Sequence, residues 1–173
     1  MITSIGFLCS QLFGVLAIGF NIVKFTRKSR RNIILWGLPV SILFALSNLF
    51  LTAWQGAAMS GVGFVLGLLN LELNRPDQWK QRVIWGMLAV AVGICIAPPT
   101  SHIITTLPLA VFIIARLGQM THSELRMRSV WIVGTLTWIV YFSYYHNYAL
   151  VLSEIIVLTL TSYRIIQLLR APQ

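Results

Sequence analysis

Seven long apolar runs, separated by short polar connections, account for most of the 173 residues. The runs cover residues 4–23, 32–52, 57–73, 83–97, 103–117, 129–145 and 148–169. A helix needs roughly 20 apolar residues, and usually about 17 to 25, to cross the hydrocarbon core of a bilayer. The pattern therefore predicts an all-α membrane protein with seven transmembrane helices. The runs at 83–97 and 103–117 are short, so either could instead form a re-entrant or tucked helix.

Every Lys and Arg of the chain falls in or beside an alternate connection of this seven-helix scheme. The connections at 52–56, 98–102 and 145–147 carry none. Basic residues near helix ends mark the cytoplasmic side, so we expect a periplasmic amino terminus and a cytoplasmic carboxyl terminus. The basic residues are, in four successive groups, Lys24, Arg27, Lys28, Arg30 and Arg31; Arg75, Lys80 and Arg82; Arg116, Arg126 and Arg128; and Arg164 and Arg170.

The composition favours lipid as the main solvent of the chain. Charged residues make up 10% and hydrophobic residues 57%, whereas about a quarter of a typical soluble domain is charged. We therefore expect one membrane domain over residues 1–173, with no cleavable signal peptide because no basic segment precedes the first apolar run. The net charge of +9 lies in short clusters between apolar runs, which argues against nucleic-acid binding. Cys9 and Cys95 are either two buried thiols or, if their helices are adjacent, a disulfide.

A gapless shift of 95 residues indicates an internal repeat. It places Arg31 on Arg126, Trp36 on Trp131 and Arg75 on Arg170. We therefore predict two parallel three-helix units, at 1–74 and 103–170, joined by a linker helix at 83–97. Parallel units of this kind place a solute path between them near the midplane. Pro39 and Pro108 lie inside the second and fifth runs, where each either frees a backbone carbonyl for a packing partner or simply bends its helix to pack.

No motif for catalysis, metal binding or cofactor binding is present, so we expect a protein that is not an enzyme and holds no cofactor. Glu154 lies inside the last apolar run. A carboxylate in lipid is costly unless it faces protein or water, so it is either a solute-binding residue or a hydrogen-bonding tie between helices. Asn48 and Ser60 are further candidates for solute contact, although most such residues join helices.

Aromatic residues are concentrated in the sixth run. Trp138 lies near its middle and is a candidate to stack on a solute. Most of the others fit an interfacial belt, and His146 and Asn147 fit a solvated turn. The belt candidates are Trp36, Trp131, Tyr141, Tyr144 and Tyr145.

Two segments carry a resemblance to the YgjV family of bacterial inner membrane proteins. They are "QLFGVLAIGFNIVKFTRKSRR" from Gln11 and "HSELRMRSVWIVGTLTWIVYFSYYHNYALVLSEIIVLTLTSYRIIQLLR" from His122. The family is similar to the MtN3-like group, which includes the SWEET, PQ-loop and PnuC transporters, and this resemblance implies two three-helix units with a linker helix. The chain departs from those relatives because no Pro-Gln pair lies inside a helix, and because Met59 and Glu154 stand where SWEET proteins place asparagine. The resemblance therefore indicates a fold rather than sugar transport.

Two functional hypotheses follow. The first is a transporter or facilitator of a small polar solute, with Glu154, Asn48, Ser60 and Trp138 in its binding site. The second is a non-transporting subunit that packs against another membrane protein or a second copy of itself. A transporter needs a water-accessible cavity lined by Glu154, whereas a packing subunit needs a filled centre.

Overall fold

A computed structural model describes residues 4–72, 81, 85–88, 92, 103–120 and 123–170, and the described chain is helical with no strand. Residues 81, 85–88 and 92 are helical, but most of the predicted helix at 83–97 lies outside the described residues. The helices with described bounds are α1 (Ser4–Thr26), α2 (Arg30–Phe50), α3 (Trp54–Glu72), α4 (Ile103–Met120), α5 (Glu124–Tyr144) and α6 (Tyr148–Arg170).

Each of these helices overlaps one predicted apolar run, but its ends differ from those of the run by up to five residues. α5 begins five residues before the predicted 129, because Ser123 caps its first turn by accepting a hydrogen bond from the Arg126 backbone N–H at 3.4 Å. Trp54, predicted to lie in a connection, instead begins α3. Apolar runs report the part of a helix that lies in hydrocarbon, whereas capping and backbone hydrogen bonds fix where the helix ends.

The turns that end α2 and α5 have the same geometry. Thr52 and His146 both adopt left-handed backbone, with φ of 57° and 55°. In each turn the next residue donates its backbone N–H to a carbonyl five residues back, Ala53 to Asn48 and Asn147 to Phe142, both at 2.9 Å. This is the Schellman arrangement for ending a helix, and it lets the following helix fold back antiparallel after a very short connection.

The six helices form a ring. Each packs on its neighbours in the chain, α1 and α6 pack together, and a smaller contact between α3 and α4 completes the circle. α1 and α6 run in the same direction, since Gln11 contacts Ala149 and Phe25 contacts the Val157 cluster further along both helices. One end of the ring, here the basic end, carries the α1–α2 and α4–α5 connections; the opposite, aromatic end carries the turns at Thr52 and His146.

The outer surface of the ring is apolar, as expected for contact with lipid. Large exposed hydrophobic side chains include Leu12 and Leu16 on α1 and Val133 and Val140 on α5. Within the described residues, four helices are long and apolar enough to cross a membrane: α1, α3 to Leu71, α6, and α2 from Arg31. α4 has a shorter apolar core, Thr106–Ala115.

Several landmarks of the described helices recur at a spacing of 94 residues. Arg30 and Glu124 begin α2 and α5, Trp54 and Tyr148 begin α3 and α6, and each pair is 94 residues apart. The left-handed residues Thr52 and His146 have the same spacing. These spacings are one residue shorter than the shift of 95 predicted from sequence identities. One residue corresponds to a rotation of about 100° on a helix. A spacing of 94 therefore pairs different side chains from those that a shift of 95 pairs.

Candidate functional site

A cavity of about 170 Å³ lies at the centre of the ring, near the middle of the helices. It is far larger than the roughly 10–15 Å³ that a single water requires. All six helices contribute to its wall, for example through Asn21 on α1, Ser41 on α2 and Val111 on α4. The described bundle therefore contains open space at this level.

Three of the four predicted site residues line this cavity: Glu154, Ser60 and Trp138. Trp138 stacks on Phe142 at 4.8 Å between ring centroids with an interplanar angle of 6°, so one face of its ring is covered by protein. The fourth, Asn48, is fully buried but lies outside the cavity wall, beside Gly56 and Tyr141. Its amide nitrogen and oxygen have no hydrogen-bond partner among the described residues.

Glu154 is 5% exposed and faces the cavity from α6. Its carboxylate receives a hydrogen bond from the Thr135 side chain on α5 and interacts electrostatically with Lys24 on α1. The adjacent Ser153 accepts a hydrogen bond from the Asn21 side-chain amide at 2.9 Å, which fixes α6 against α1 at this level. The carboxylate is thus held in place by contacts from two neighbouring helices.

Lys24 was predicted to lie in the basic connection after the first helix. In the structure it lines the cavity. Side chains tilt toward the amino terminus of their helix, so Lys24 reaches back from the basic end toward the level of Asn21. Its ammonium lies 4.6 Å from the Phe25 ring centroid and 5.4 Å from that of Trp131. Gly37 on α2 faces its alkyl stem, since a Cβ there would lie 3.5 Å from Cε. Cation–π contact and a glycine opposite therefore direct this lysine inward.

The interfacial-belt interpretation is wrong for Trp131 and Tyr141. Trp131 is only 9% exposed and lines the cavity, and Tyr141 is fully buried. Tyr144, at 57% exposure, has the accessibility that a belt residue needs. Cys95 lies outside the described residues, so the predicted choice between two thiols and a disulfide stays open.

The wall positions of the two halves correspond at the spacing of 94. Ser41 and Thr135, Phe44 and Trp138, and Ser60 and Glu154 are such pairs. At this spacing Ser60 pairs with Glu154, whereas the shift of 95 pairs Met59 with Glu154. Further pairs among the described wall residues are Asn21 and Ala115, Gly37 and Trp131, Val40 and Gly134, and Gly63 and Val157.

Buried aromatic and polar contacts close the cavity toward the aromatic end. Tyr141, Phe142 and Leu150 are fully buried one turn beyond the wall. The Tyr141 hydroxyl accepts a hydrogen bond from the Gly56 backbone N–H at 3.2 Å. Asn147, predicted to lie in a solvated turn, is instead fully buried and donates to the Ser47 hydroxyl at 2.8 Å. Both hydrogen bonds join the first three helices to the last three.

At the basic end, Arg128 joins the two halves of the ring. Its side chain is fully buried; Nε donates to Glu124 Oε1 at 2.9 Å and Nη2 to the Arg27 carbonyl at 3.2 Å. Arg164 Nε also donates to Glu124 Oε1, at 3.1 Å. Partial burial by itself raises the pKa of Glu124, but the hydrogen bonds and positive charges of Arg164 and Arg128 outweigh it, so the pKa lies below its usual range.

Comparison with known proteins places the chain in a family. The family model Imp-YgjV, described as a bacterial inner membrane protein, matches residues 8–171, nearly the full length. The chain belongs to this family. It is therefore a membrane protein of a bacterial inner membrane family, as its apolar helices also indicate. No curated protein and no solved structure gives a significant match.

Proposed function

We propose that this Imp-YgjV protein is a transporter of a small polar solute, which binds in the central cavity and is moved by relative rocking of two three-helix units. The observation that carries the proposal is the cavity itself, with the buried carboxylate of Glu154 in its wall. A buried acidic residue beside open space in a membrane bundle is characteristic of a solute or ion pathway.

The repeat at 94 residues supports the rocking of two units. Equivalent helices begin and turn at the same spacing, and equivalent positions of both halves face the cavity. A cavity between two parallel repeats is the place where such transporters hold their solute. This is also the arrangement of the SWEET and PQ-loop proteins that the sequence resembles.

The cavity is closed at the aromatic end, so transport requires the contacts there to separate during part of the cycle. These contacts include the hydrogen bonds of Tyr141 with Gly56 and of Asn147 with Ser47. In this proposal the basic end is cytoplasmic, as basic residues near helix ends predict, so that the closed aromatic end would face the periplasm. Rocking about the α1–α6 contact would open it.

A packing subunit of a larger complex is the alternative function. The hydrogen bond from Thr135 to Glu154 fits it, because it ties two helices together. The cavity does not fit it, since a chain whose role is to pack against partners gains nothing from an open centre that forfeits dispersion contacts. We therefore favour transport.

The test is solute uptake by purified protein in liposomes. The liposomes are incubated with an isotope-labelled small-molecule extract of bacteria, and the internal contents are identified by mass spectrometry. We expect enrichment of a polar compound over empty liposomes, reduced at least tenfold by Glu154→Gln. Thr159→Val, at an exposed position of the same helix, is the matched control and should transport normally.

A charge-swap variant tests the equivalence of the two halves. If Ser60 and Glu154 occupy related positions around one cavity, the double variant Ser60→Glu with Glu154→Ser restores part of the uptake that Glu154→Ser alone removes. Absence of any enriched compound with the wild-type protein would refute transport. Normal uptake by Glu154→Gln would refute the role of this carboxylate.

A further inference from the structure

Two opposite charges share the cavity wall. Lys24 on α1 and Glu154 on α6 are the charged residues among the described wall positions. Each has its own support: the Lys24 ammonium lies against the rings of Phe25 and Trp131, and the Glu154 carboxylate is hydrogen-bonded by Thr135. The two groups also interact electrostatically with each other.

This pair makes the cavity electrically balanced. Charges interact strongly in a poorly solvated interior, and a buried charge without a counter-charge is costly. A solute with a single net charge would leave one charge in the cavity uncompensated. A solute with both a positive and a negative group adds no net charge and can pair with both residues.

The rest of the wall is largely apolar. Phe44 on α2, Met59 on α3, and Val111 and Phe112 on α4 lie on it. A site with apolar walls and a few placed polar groups binds a ligand that has one apolar part and one polar part. A small molecule with an apolar side chain and a dipolar headgroup meets this requirement, whereas a sugar, with hydroxyl groups on all sides, does not.

We propose that the solute is a small zwitterion of the amino-acid class, its carboxylate facing Lys24 and its ammonium facing Glu154. This inference rests on the proposed function. The inference adds to the proposed function a partner for the solute's anionic group, Lys24. It also excludes sugars and singly charged ions as preferred solutes.

The test is binding by the purified protein in lipid nanodiscs, measured by calorimetry. The probes are L-leucine and L-proline, the amide of each, which lacks the carboxylate, the N-acetyl derivative of each, which lacks the ammonium, and glucose. We expect at least one of the two amino acids to bind at least tenfold more tightly than its two derivatives and glucose. Lys24→Met should favour the amide, and Glu154→Gln should favour the N-acetyl derivative. Lys28→Met, at an exposed lysine near the same helix end, should leave the order unchanged.

The outcomes separate this proposal from transport itself. The zwitterion proposal would be overturned if glucose bound in preference to both amino acids, or if an amino acid and its derivatives bound equally. Transport would still stand if the liposome assay showed uptake. Binding of neither amino acid would also overturn it. Failure of every compound to enter the liposomes would remove both proposals. The opposite preferences of the Lys24 and Glu154 variants are results that general loss of folding cannot produce.

Discussion

Gly14 marks a close approach of α1 and α6, the contact about which we propose that the two units rock. A Cβ at this position would lie 2.6 Å from the Cβ of Ala149. Apolar carbons pack at about 3.5–4.0 Å, so Gly14→Ala forces the two helices apart by about 1 Å. That displacement also strains the hydrogen bond from the Ala149 backbone N–H to the Gln11 side chain, now 2.9 Å.

Gly19, on the same helix, provides a matched control, because a Cβ there meets nothing within 4 Å. Both substitutions bring the same gain in helix propensity, roughly 0.5–1 kcal/mol, so the difference between them isolates the clash. Overpacking of this kind costs about 1–3 kcal/mol. We therefore expect Gly14→Ala to be less stable than Gly19→Ala by about that amount, measured by reversible unfolding in mixed micelles. Equal stability of the two variants would show that α1 and α6 are not in such close contact.

Two further predictions concern the two ends of the ring. Glu124 has a pKa below its usual range, so its contribution to stability is complete above the pKa of the unfolded chain and is lost as the pH falls below about 4. Glu124→Gln should destabilise the protein by about 1–2 kcal/mol at neutral pH, because the buried Arg128 loses its counter-charge. The variant should also lose less stability than the wild type when the pH is lowered. An equal loss of stability in acid would contradict the pairing of Glu124 with Arg128 and Arg164. At the aromatic end, Tyr141→Phe removes the acceptor for the Gly56 N–H and should cost about 1 kcal/mol in thermal unfolding, whereas the exposed Tyr144→Phe should cost nothing measurable; equal effects would contradict this hydrogen bond.

The helices were largely predictable from sequence because lipid leaves few alternatives. A chain in hydrocarbon must satisfy its backbone hydrogen bonds internally, so each long apolar run becomes a helix. The ends were less predictable, since the cap at Ser123 and the left-handed turns at Thr52 and His146 depend on local hydrogen bonds that hydropathy does not report. The shift of 95 came from three identities, whereas the helix starts and turns are spaced by 94 residues, which depends on capping that identities do not report.

The residues of the candidate site that could be predicted were polar side chains within apolar runs, because burying a polar group in lipid costs free energy. Glu154 and Ser60 are polar side chains within apolar runs, and both line the cavity. Lys24 was missed because its position beside other basic residues already had an explanation in topology. A signal was nevertheless available: Lys24 ends an apolar run and precedes Phe25, so its side chain can turn back into the bundle. Asn48 carried the same signal as Ser60, but its position relative to the cavity depends on packing that sequence does not specify.

In the proposed transporter, the chemistry at positions 94 residues apart would determine how the pathway acquires direction and selectivity. Ser41 and Thr135 preserve a hydroxyl, and Phe44 and Trp138 preserve an aromatic ring. Ser60 and Glu154 differ in charge, and Lys24 supplies a positive charge from the first half. The hydroxyls and aromatic rings present in both halves would form similar walls on either side of the solute. The charges of Lys24 and Glu154 would hold a dipolar solute in one orientation between the halves. An orientation fixed by one residue from each half couples solute binding to their relative position, because the two charges can both be engaged only when the halves are at the right distance.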